Sequence, residues 1–136
     1  MDKLTPEKRS WNMSRIKAKD TKPEILVRTF LHKHGFRFRI HRADLPGKPD
    51  IVLAKYKTVI FVHGCYWHRH QGCKNATTPK TRKDFWEKKF EANIERDKRK
   101  IFELISAGWN VIIIWECEVN DQKRMQRLPT EIRLKR

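Results

Sequence analysis

The sequence predicts an α/β fold in which a mixed central sheet is flanked by helices, with the elements in the order αβββαβ. Three observations support this prediction. A capped helical segment comes first, three short strand-like runs follow it, and a long amphipathic helix then leads into one more apolar run. Helices and strands that alternate in this way are typical of layered α/β domains.

The first helix and the first strand lie on either side of Gly35. Thr21 and Glu24 stand at capping-box spacing, so that each side chain can satisfy a backbone N–H group of the other residue. Gly35 marks the predicted end of this helix. Apolar residues that alternate with arginines over residues 36–40 predict a half-exposed strand. The helix itself is predicted from apolar residues at helical spacing: Ile25, Leu26, Phe30 and Leu31.

The other predicted strands are continuous runs of β-branched or apolar residues. Residues 50–53 and 58–62 form two such runs joined by a short turn, which predicts the adjacent strands of a hairpin. Residues 109–115 form an unbroken apolar run that suits a buried strand. Two tryptophans of this last run are expected in the core: Trp109 and Trp115.

A long loop and a long helix lie between the hairpin and the last strand. Residues 63–80 show no periodicity, and a loop of this length in a small domain needs a ligand or a function to order it. Thr81 and Asp84 predict the start of the helix, and Gly108 predicts its end. Five apolar residues of the helix are expected to face the core: Phe85, Phe90, Ile94, Ile101 and Ile105.

The composition favours nucleic acid as the partner. The chain carries 32 Lys and Arg against 16 Asp and Glu, a formal charge of +16, which attracts polyanions. No apolar run approaches the roughly 20 residues that cross a bilayer, and residues 1–6 lack the apolar part of a secretory signal. Three cysteines, an odd number, fit a reduced protein better than a disulfide scaffold. We therefore expect a cytoplasmic protein without membrane contact.

The length predicts one domain. A chain of 136 residues can bury one hydrophobic core but hardly two, so we expect residues 1–136 to form a single domain. Its predicted parts include a basic N-terminal segment (1–20), the irregular loop (63–80) and a polar C-terminal tail or helix (118–136).

The cysteines predict a structural zinc site. Cys65 and Cys73 lie in the irregular loop, and Cys117 follows the last predicted strand. Structural zinc takes four thiolate or imidazole ligands, so a histidine of the loop would complete the set. His70 and His68 both fit by spacing, and the choice between them stays open at this point. The alternative is three buried cysteines without a metal.

A second group of residues has the chemistry of phosphodiester cleavage. Asp50 precedes one strand of the hairpin and His63 ends the other, so the two can converge, and His68 follows nearby. A carboxylate can hold a hard cation, and histidine moves protons near neutral pH. Glu24 is a second candidate carboxylate. Each also has an ordinary structural alternative: a turn residue, a hydrogen-bonded histidine and a helix cap.

These residues stand in motifs of a known family. Residues 62–70, Val-His-Gly-Cys-Tyr-Trp-His-Arg-His, preceded by Pro-Gly-Lys-Pro-Asp at 46–50, resemble the very-short-patch-repair (Vsr-type) mismatch endonucleases. That family belongs to the restriction-endonuclease-like superfamily, and it nicks DNA 5′ of the T in T·G mismatches left by deamination of 5-methylcytosine. The resemblance extends to residues 12–16, 19–24, 85–86, 93–97 and 115–117.

The resemblance implies a role for each of the candidate residues. Asp50 and the backbone carbonyl of Val62 would hold magnesium, and Glu24 would reach the active site through a water. His63 and His68 would act on the water and the phosphate, with Asp97 orienting His68. The zinc ligands would be Cys65, His70, Cys73 and Cys117.

The same resemblance implies contacts to mismatched DNA. In the family, aromatic residues intercalate from the major groove, and a methionine in the N-terminal segment approaches from the minor groove. These positions are Tyr66, Trp67 and Trp86, with Met13 from the DNA-contacting segment 1–20, while Lys89 and Asn93 would lie near the wobble pair. From the residues alone, Trp67 and Trp86 fit a core position equally well.

Two features depart from what the resemblance implies. The second acidic residue and the lysine that are usual in the superfamily are missing from residues 58–62, which fits a family that uses histidines. The gap Gln71-Gly72 before Cys73 is longer than expected.

The predicted partner is double-stranded DNA with a T·G mismatch. We expect a monomer associated with the bacterial nucleoid, with mismatch-repair proteins as further partners. Two alternatives remain: a non-catalytic, zinc-stabilised nucleic-acid-binding protein, and a related nickase with another target.

Overall fold

The computed structural model describes residues 21–74, 76–77 and 79–134. These residues follow the predicted order αβββαβ and add one helix after the last strand. The elements are α1 (Lys22–Lys33), β1 (Arg39–Ile40), β2 (Ile51–Leu53), β3 (Thr58–His63), α2 (Lys83–Ser106), β4 (Asn110–Trp115) and α3 (Gln122–Leu134), with short 3₁₀ turns at Ala54–Tyr56 and Glu116–Glu118.

The strands form one mixed sheet in the order β1-β2-β3-β4. β1 pairs with β2 and β2 with β3 in antiparallel fashion, whereas β3 and β4 are parallel. Along the parallel pair, His63 at the end of β3 lies opposite Trp115 at the end of β4. Asp50 precedes β2, and His63 ends β3. Because β2 is antiparallel to β3, these two residues lie at the same end of the sheet.

Both faces of the sheet are buried, which explains the continuous apolar runs. Successive strand residues point to opposite faces, so a strand that is covered on both sides needs apolar residues throughout. On one face, Ile51 and Ile60 pack in a core cluster with residues of α1 and α3. On the other face, Val52 and Val59 pack with Leu104 of α2. The predicted α/β fold with helices flanking a mixed sheet is confirmed.

The C-terminal segment is a helix, which decides between the two predicted alternatives. α3 places an apolar stripe at helical spacing against the core, while its other sides stay polar. The sequence pattern was masked by the many charged residues of this segment. The buried apolar residues of α3 are Met125, Leu128, Pro129 and Ile132.

The prediction for the long helix α2 was wrong in two details. The helix begins at Lys83, because Arg82 adopts a left-handed backbone with φ of 53° and makes no side-chain cap. Phe85 and Ile105 are exposed, by 46% and 57%, and Leu104 is buried instead. The inward stripe that runs from Phe90 to Leu104 leaves those two residues at its margins. Within the described residues, no helix is both long and apolar enough to cross a membrane.

Gly47 lies where the loop before β2 passes close to α2. Its φ is 74°, and a Cβ there would meet the Cβ of Lys100 at 3.0 Å and the ring of Phe61 at 3.2 Å. Replacing Gly47 with alanine is expected to lower the free energy of unfolding by about 1–3 kcal/mol, through backbone strain and crowding. Urea unfolding measures this loss. Gly35→Ala is the matched control, since Gly35 has φ of 79° but no atom within 4 Å of the added Cβ. Equal losses in the two variants would contradict the crowding.

Candidate active site and metal cluster

Asp50 is held against the end of β3 by a backbone hydrogen bond. The N–H group of Val62 donates to Oδ2 of Asp50 over 2.6 Å. Burial is the largest cause that raises the pKa of Asp50, to about 7; the nearby Glu24 raises it further, while the Val62 hydrogen bond and Arg28 oppose the rise. A carboxyl group that is buried beside another carboxylate is one whose ionised form a bound cation would stabilise.

Glu24 lies in the first turn of α1, with only 4% of its surface exposed. The N–H group of Glu24 donates to Oγ1 of Thr21 over 3.5 Å, so the predicted threonine cap is present. The guanidinium of Arg28, one turn further along the helix, lies 3.2 Å from Oε2 of Glu24. Arg28 compensates the charge of this buried carboxylate, a role that sequence reasoning missed although the i, i+4 spacing was a signal.

His63, His68 and Asp97 form a side-chain array beside Asp50. The rings of His63 and His68 are stacked, with centroids 3.9 Å apart and planes 6° apart. Nδ1 of His68 donates to Oδ2 of Asp97 over 2.7 Å. Asp97 thereby fixes the tautomer of His68, so that Nε2 is the ring nitrogen that accepts a proton. The hydrogen bond joins the two residues that the resemblance paired, and the catalytic role of this pair stays a prediction.

His63 is kept neutral by its surroundings. Burial is the first cause that holds its pKa well below the usual range, and the neighbouring His68 lowers it further, whereas Asp97 acts in the opposite direction. The rings of His63 and Trp115 meet in a T-shaped arrangement, with centroids 5.3 Å apart. At neutral pH, His63 therefore offers an uncharged imidazole to the cleft.

A cleft of about 330 Å³ joins these groups to basic side chains. Carboxylates and imidazoles form its floor, and cations from two different elements line its rim. The rim residues are Lys48 in the loop before β2 and, on α2, Arg96 and Lys100. This combination suits a phosphodiester, whose charge the rim attracts while the floor supplies metal ligands and proton-moving groups. Sequence reasoning did not single out these three basic residues, because they lie among many others.

The raised pKa of Asp50 predicts how stability depends on pH when no magnesium is added. The unfolded chain loses this proton near its ordinary value of 3.8, whereas the folded protein keeps it to about 7. The contribution of Asp50 to stability is therefore complete below that ordinary value and is lost as the pH rises through 7. Asp50→Asn cannot ionise, so its melting temperature should exceed that of the wild type by a margin that grows from pH 5 to 7 and levels off by pH 8.

Thermal melting of both proteins at pH 5, 6, 7 and 8 measures this difference in melting temperature. The titration of His63 affects the stability of both proteins equally and therefore cancels in the difference. A divalent cation that binds at Asp50 should narrow the margin, because it would bind only to the wild type with full affinity. A margin that does not change with pH would contradict the expectation.

Three cysteines and one histidine gather at the adjoining end of the sheet. One ligand atom from each of Cys65, His70, Cys73 and Cys117 lies within 4.8 Å of the others. Nδ1 of His70 is 3.6 Å from Sγ of Cys65 and 3.4 Å from Sγ of Cys117. Burial raises the pKa of Cys65 to about 12 and also raises that of Cys117. The four residues can hold a metal ion, and His70, not His68, is the histidine among them.

The long gap before Cys73 is accommodated by a tight turn. The N–H group of Cys73 donates to the carbonyl of His70 over 3.2 Å, which closes a four-residue turn. Gly72 occupies its third position with φ of 75°, a conformation that glycine adopts without strain. Gln71 and Gly72 therefore return the chain to the cluster, and both loop ligands reach it.

Trp115 and Glu116 connect the metal cluster to the array of His63 and His68. The indole of Trp115 stacks on His70, with centroids 4.3 Å and planes 7° apart, and it also makes a T-shaped contact with His63. Oε1 of Glu116 accepts the N–H group of Cys65 over 2.8 Å. Trp115 is half-buried at this junction and is not an ordinary core residue. Sequence reasoning missed both of these connections.

Aromatic side chains lie together beside this end of the sheet. The rings of Tyr66 and Trp67 meet at 5.0 Å, and Trp67 lies 6.4 Å from Trp86. Nζ of Lys89 is 5.6 Å from both tryptophan rings, and Nδ2 of Asn93 donates to the carbonyl of Trp67 over 3.3 Å. Trp67 is 42% exposed and Trp86 is half-buried, so neither is a core residue. Met13 and the segment 1–20 lie outside the described residues.

Comparison with known proteins decides the family. The family model of the DNA mismatch endonuclease Vsr matches residues 1–75. The Vsr protein of Escherichia coli (strain K12) is 43% identical over 124 residues, which cover 91% of this chain and 77% of that protein. This chain belongs to the Vsr family.

Two further Vsr relatives are nicking enzymes. The type II nicking enzyme V.XorIIP of Xanthomonas oryzae pv. oryzae is 50% identical over 120 residues, which cover 88% of each chain. The type II nicking enzyme V.NmeAIP of Neisseria meningitidis is 47% identical over 136 residues, covering 97% of this chain and 96% of that protein. The protein is thus a DNA endonuclease related both to mismatch endonucleases and to nickases.

A solved structure shares the overall fold of this Vsr-family protein. The catalytic domain of the homing endonuclease I-Bth0305I aligns with a TM-score of 0.58 at 24% sequence identity. The alignment covers 85% of this chain and 96% of that domain. The Vsr family match itself ends at residue 75, before Asp97 and Cys117, which the fold brings to the site from α2 and the turn after β4.

Proposed function

We propose that this protein is a magnesium-dependent endonuclease that nicks one strand of DNA 5′ of the T in a T·G mismatch. The mismatches would arise by deamination of 5-methylcytosine, and the enzyme would act as a monomer in very short patch repair, in the bacterial cytoplasm. The observation that supports this most strongly is the convergence of Asp50 with His63, which is stacked on His68, and with the hydrogen-bonded pair of His68 and Asp97 at one end of the sheet.

The donor set at this end of the sheet fits magnesium. Asp50 and the backbone carbonyl of Val62 would be ligands, and Glu24 would take part through a water. Such oxygen ligands suit a hard cation, and Arg28 limits the accumulated negative charge. When bound, magnesium would supply charge neutralisation at the scissile phosphate.

The two histidines would act on the attacking water and on the phosphate. His68, held by Asp97 through Nδ1, would accept the proton of the attacking water at Nε2. His63, uncharged and stacked on His68, would contact the phosphate and limit the motion of the His68 ring. Lys48, Arg96 and Lys100 would attract the DNA backbone to the rim of the cleft.

Zinc would be the ion of the second cluster. Three thiolates and one imidazole are a usual ligand set of structural zinc, whose bonds of about 2.0–2.3 Å need only a small contraction of the observed spacing. Bound zinc would hold the loop of residues 64–77 to the turn after β4. That loop contains His68, so the zinc site would also fix one wall of the active site.

Mismatch recognition would depend on the aromatic side chains. Tyr66, Trp67 and Trp86 would insert between base pairs from the major groove, Met13 would approach from the minor groove, and Lys89 and Asn93 would lie near the wobble pair. Unstacking costs least at a pair that is already weakened, so insertion by itself favours a mismatch.

The test is nicking of end-labelled duplexes that differ only in one base pair. With magnesium, a T·G duplex should be cut in the T strand, 5′ of the mismatched T, about tenfold or more faster than its T·A control. The strand that carries the mismatched G should stay intact. Equal resistance of both duplexes, or cleavage of both strands, would contradict the proposal.

A second candidate is a nickase with a different target, because two of the compared relatives are named type II nicking enzymes. A panel of duplexes with varied bases on both sides of the T·G or T·A pair separates the candidates. Cleavage that follows the flanking sequence regardless of the mismatch would favour the second candidate.

A further inference from the structure

Arg69 stands in the middle of the irregular loop, close to Tyr66 and Trp67. These two aromatic residues are here called the aromatic wedge. The backbone of Arg69 is left-handed, with φ of 57°, which a residue with a Cβ adopts only at a cost. Its side chain contacts three backbone carbonyls and two aromatic rings. Neither the metal cluster nor the proposed proton transfers require an arginine here.

The guanidinium of Arg69 joins two distant parts of the loop. Nη1 donates to the carbonyl of Tyr66 over 3.3 Å and to that of Thr77 over 2.9 Å. Nη2 donates to the carbonyl of Ala76 over 3.0 Å. Three backbone carbonyls from both ends of the irregular loop are thus satisfied by one side chain, which closes the loop on itself.

The same guanidinium is stacked on aromatic rings. Its central carbon lies 4.0 Å from the centroid of Phe90 and 5.6 Å from that of Tyr66. Phe90 is buried on α2, and its ring meets Tyr66 edge-on at 5.4 Å. Arg69 therefore fastens the base of the aromatic wedge to α2, the helix that also presents Trp86.

We propose that Arg69 is a positioning residue that holds the aromatic wedge in its working orientation before DNA binds. The inference rests on the proposed function, because it assumes that Tyr66 and Trp67 insert beside a mismatch. A loop that is already ordered loses less conformational freedom on binding than a loose one, so more of the contact energy remains for unstacking. Arginine suits the place because its planar fork reaches several carbonyls while it stacks, which a lysine ammonium cannot do.

The experiment measures unstacking and discrimination with the full-length, zinc-loaded protein. A T·G duplex with 2-aminopurine next to the mismatch brightens when that base is unstacked. Wild type, Arg69→Ala, Arg69→Lys and Lys80→Ala are compared at saturating protein, together with nicking rates on T·G and T·A duplexes. Lys80→Ala removes one positive charge from an exposed position of the same region and so controls for general electrostatics.

Arg69→Ala should lower the fluorescence plateau by at least half and reduce the T·G over T·A preference about tenfold. Arg69→Lys should give intermediate values, and Lys80→Ala should match the wild type. Zinc content, measured by atomic emission, should stay the same in all four proteins. A purely structural arginine would lower both nicking rates equally and leave their ratio unchanged.

Three results would overturn the inference. The first is an unchanged plateau and ratio in Arg69→Ala at full zinc content. The second is zinc loss from both Arg69 variants, which would assign the residue to the metal loop. The third is a wild type that prefers T·G without any rise in fluorescence, which would remove the wedge but keep the proposed nickase. A wild type without preference for T·G would instead contradict the proposed function.

Discussion

Replacing Asp50 with asparagine is expected to lower the nicking rate on a T·G duplex by about a thousandfold or more while DNA binding persists. Asp50 precedes β2 and is held against Val62 of β3, burial raises its pKa to about 7, and the proposed magnesium would contact it directly. An asparagine has the same shape but no charge to hold the cation. Removal of a negative charge from a basic cleft should leave the affinity for DNA equal or slightly higher.

The fold should survive this substitution. The amide oxygen of asparagine can still accept the N–H group of Val62, which now donates to Oδ2 of Asp50 over 2.6 Å. Single-turnover nicking, DNA binding by fluorescence anisotropy and zinc content are measured on the same preparation. Asp44→Asn is the matched control, because Asp44 is an exposed carboxylate that pairs with Arg42 in the preceding loop. An Asp50→Asn protein that nicks at more than a tenth of the wild-type rate would exclude Asp50 as the main metal ligand.

The fold could be predicted because most helices and strands have a recognisable hydrophobic pattern in the sequence. The continuous runs at 58–62 and 109–115 became β3 and β4, which pair in parallel and are covered on both faces. The position of Asp50 followed from the predicted hairpin of β2 and β3, because a hairpin places the start of β2 next to the end of β3. Hydrophobic pattern and strand order together were therefore enough to predict that Asp50 and His63 converge, whereas the role of Asp97 was implied only by the resemblance to the family.

Spacing alone could not choose between the two loop histidines. His68 and His70 lie two residues apart, and either ring could reach a cysteine in an irregular loop. The path of the loop decides: the N–H group of His70 donates to the carbonyl of Cys65, and its ring stacks on Trp115. His68 is directed instead to Asp97 on α2.

Other parts of the site have no sequence pattern at all. Arg69 is one of many arginines, and its partners are carbonyl groups, which every residue has. Glu116 binds a backbone N–H group 51 residues away in the chain. The start of α2 differs from the one predicted from Thr81, because Arg82, with its left-handed backbone, occupies the cap position. Such features depend on tertiary contacts, which local patterns do not encode.

The second large effect is expected from the metal cluster. Cys65→Ser should abolish tight zinc binding and lower the melting temperature by about 10 °C or more, because zinc binding contributes directly to folding stability. Cys65 is fully buried, and its Sγ and that of Cys117 both face His70. Loss of the ion would release the loop of residues 64–77 from the turn after β4. His68 and the aromatic wedge would lose their positions together, so nicking should fall with stability.

The two variants distinguish the roles of the two metal centres. Asp50→Asn should stop nicking without loss of zinc, whereas Cys65→Ser should lose both the zinc and the nicking activity. Zinc content by atomic emission and thermal melting give the comparison, with His32→Gln as the control for an exposed histidine outside the cluster. Phenanthroline, which removes zinc in preference to magnesium, should reproduce the Cys65→Ser effect in the wild type even with excess magnesium, and zinc should reverse it. A Cys65→Ser protein that melts like the wild type and nicks normally would show that the four-residue cluster holds no structural ion.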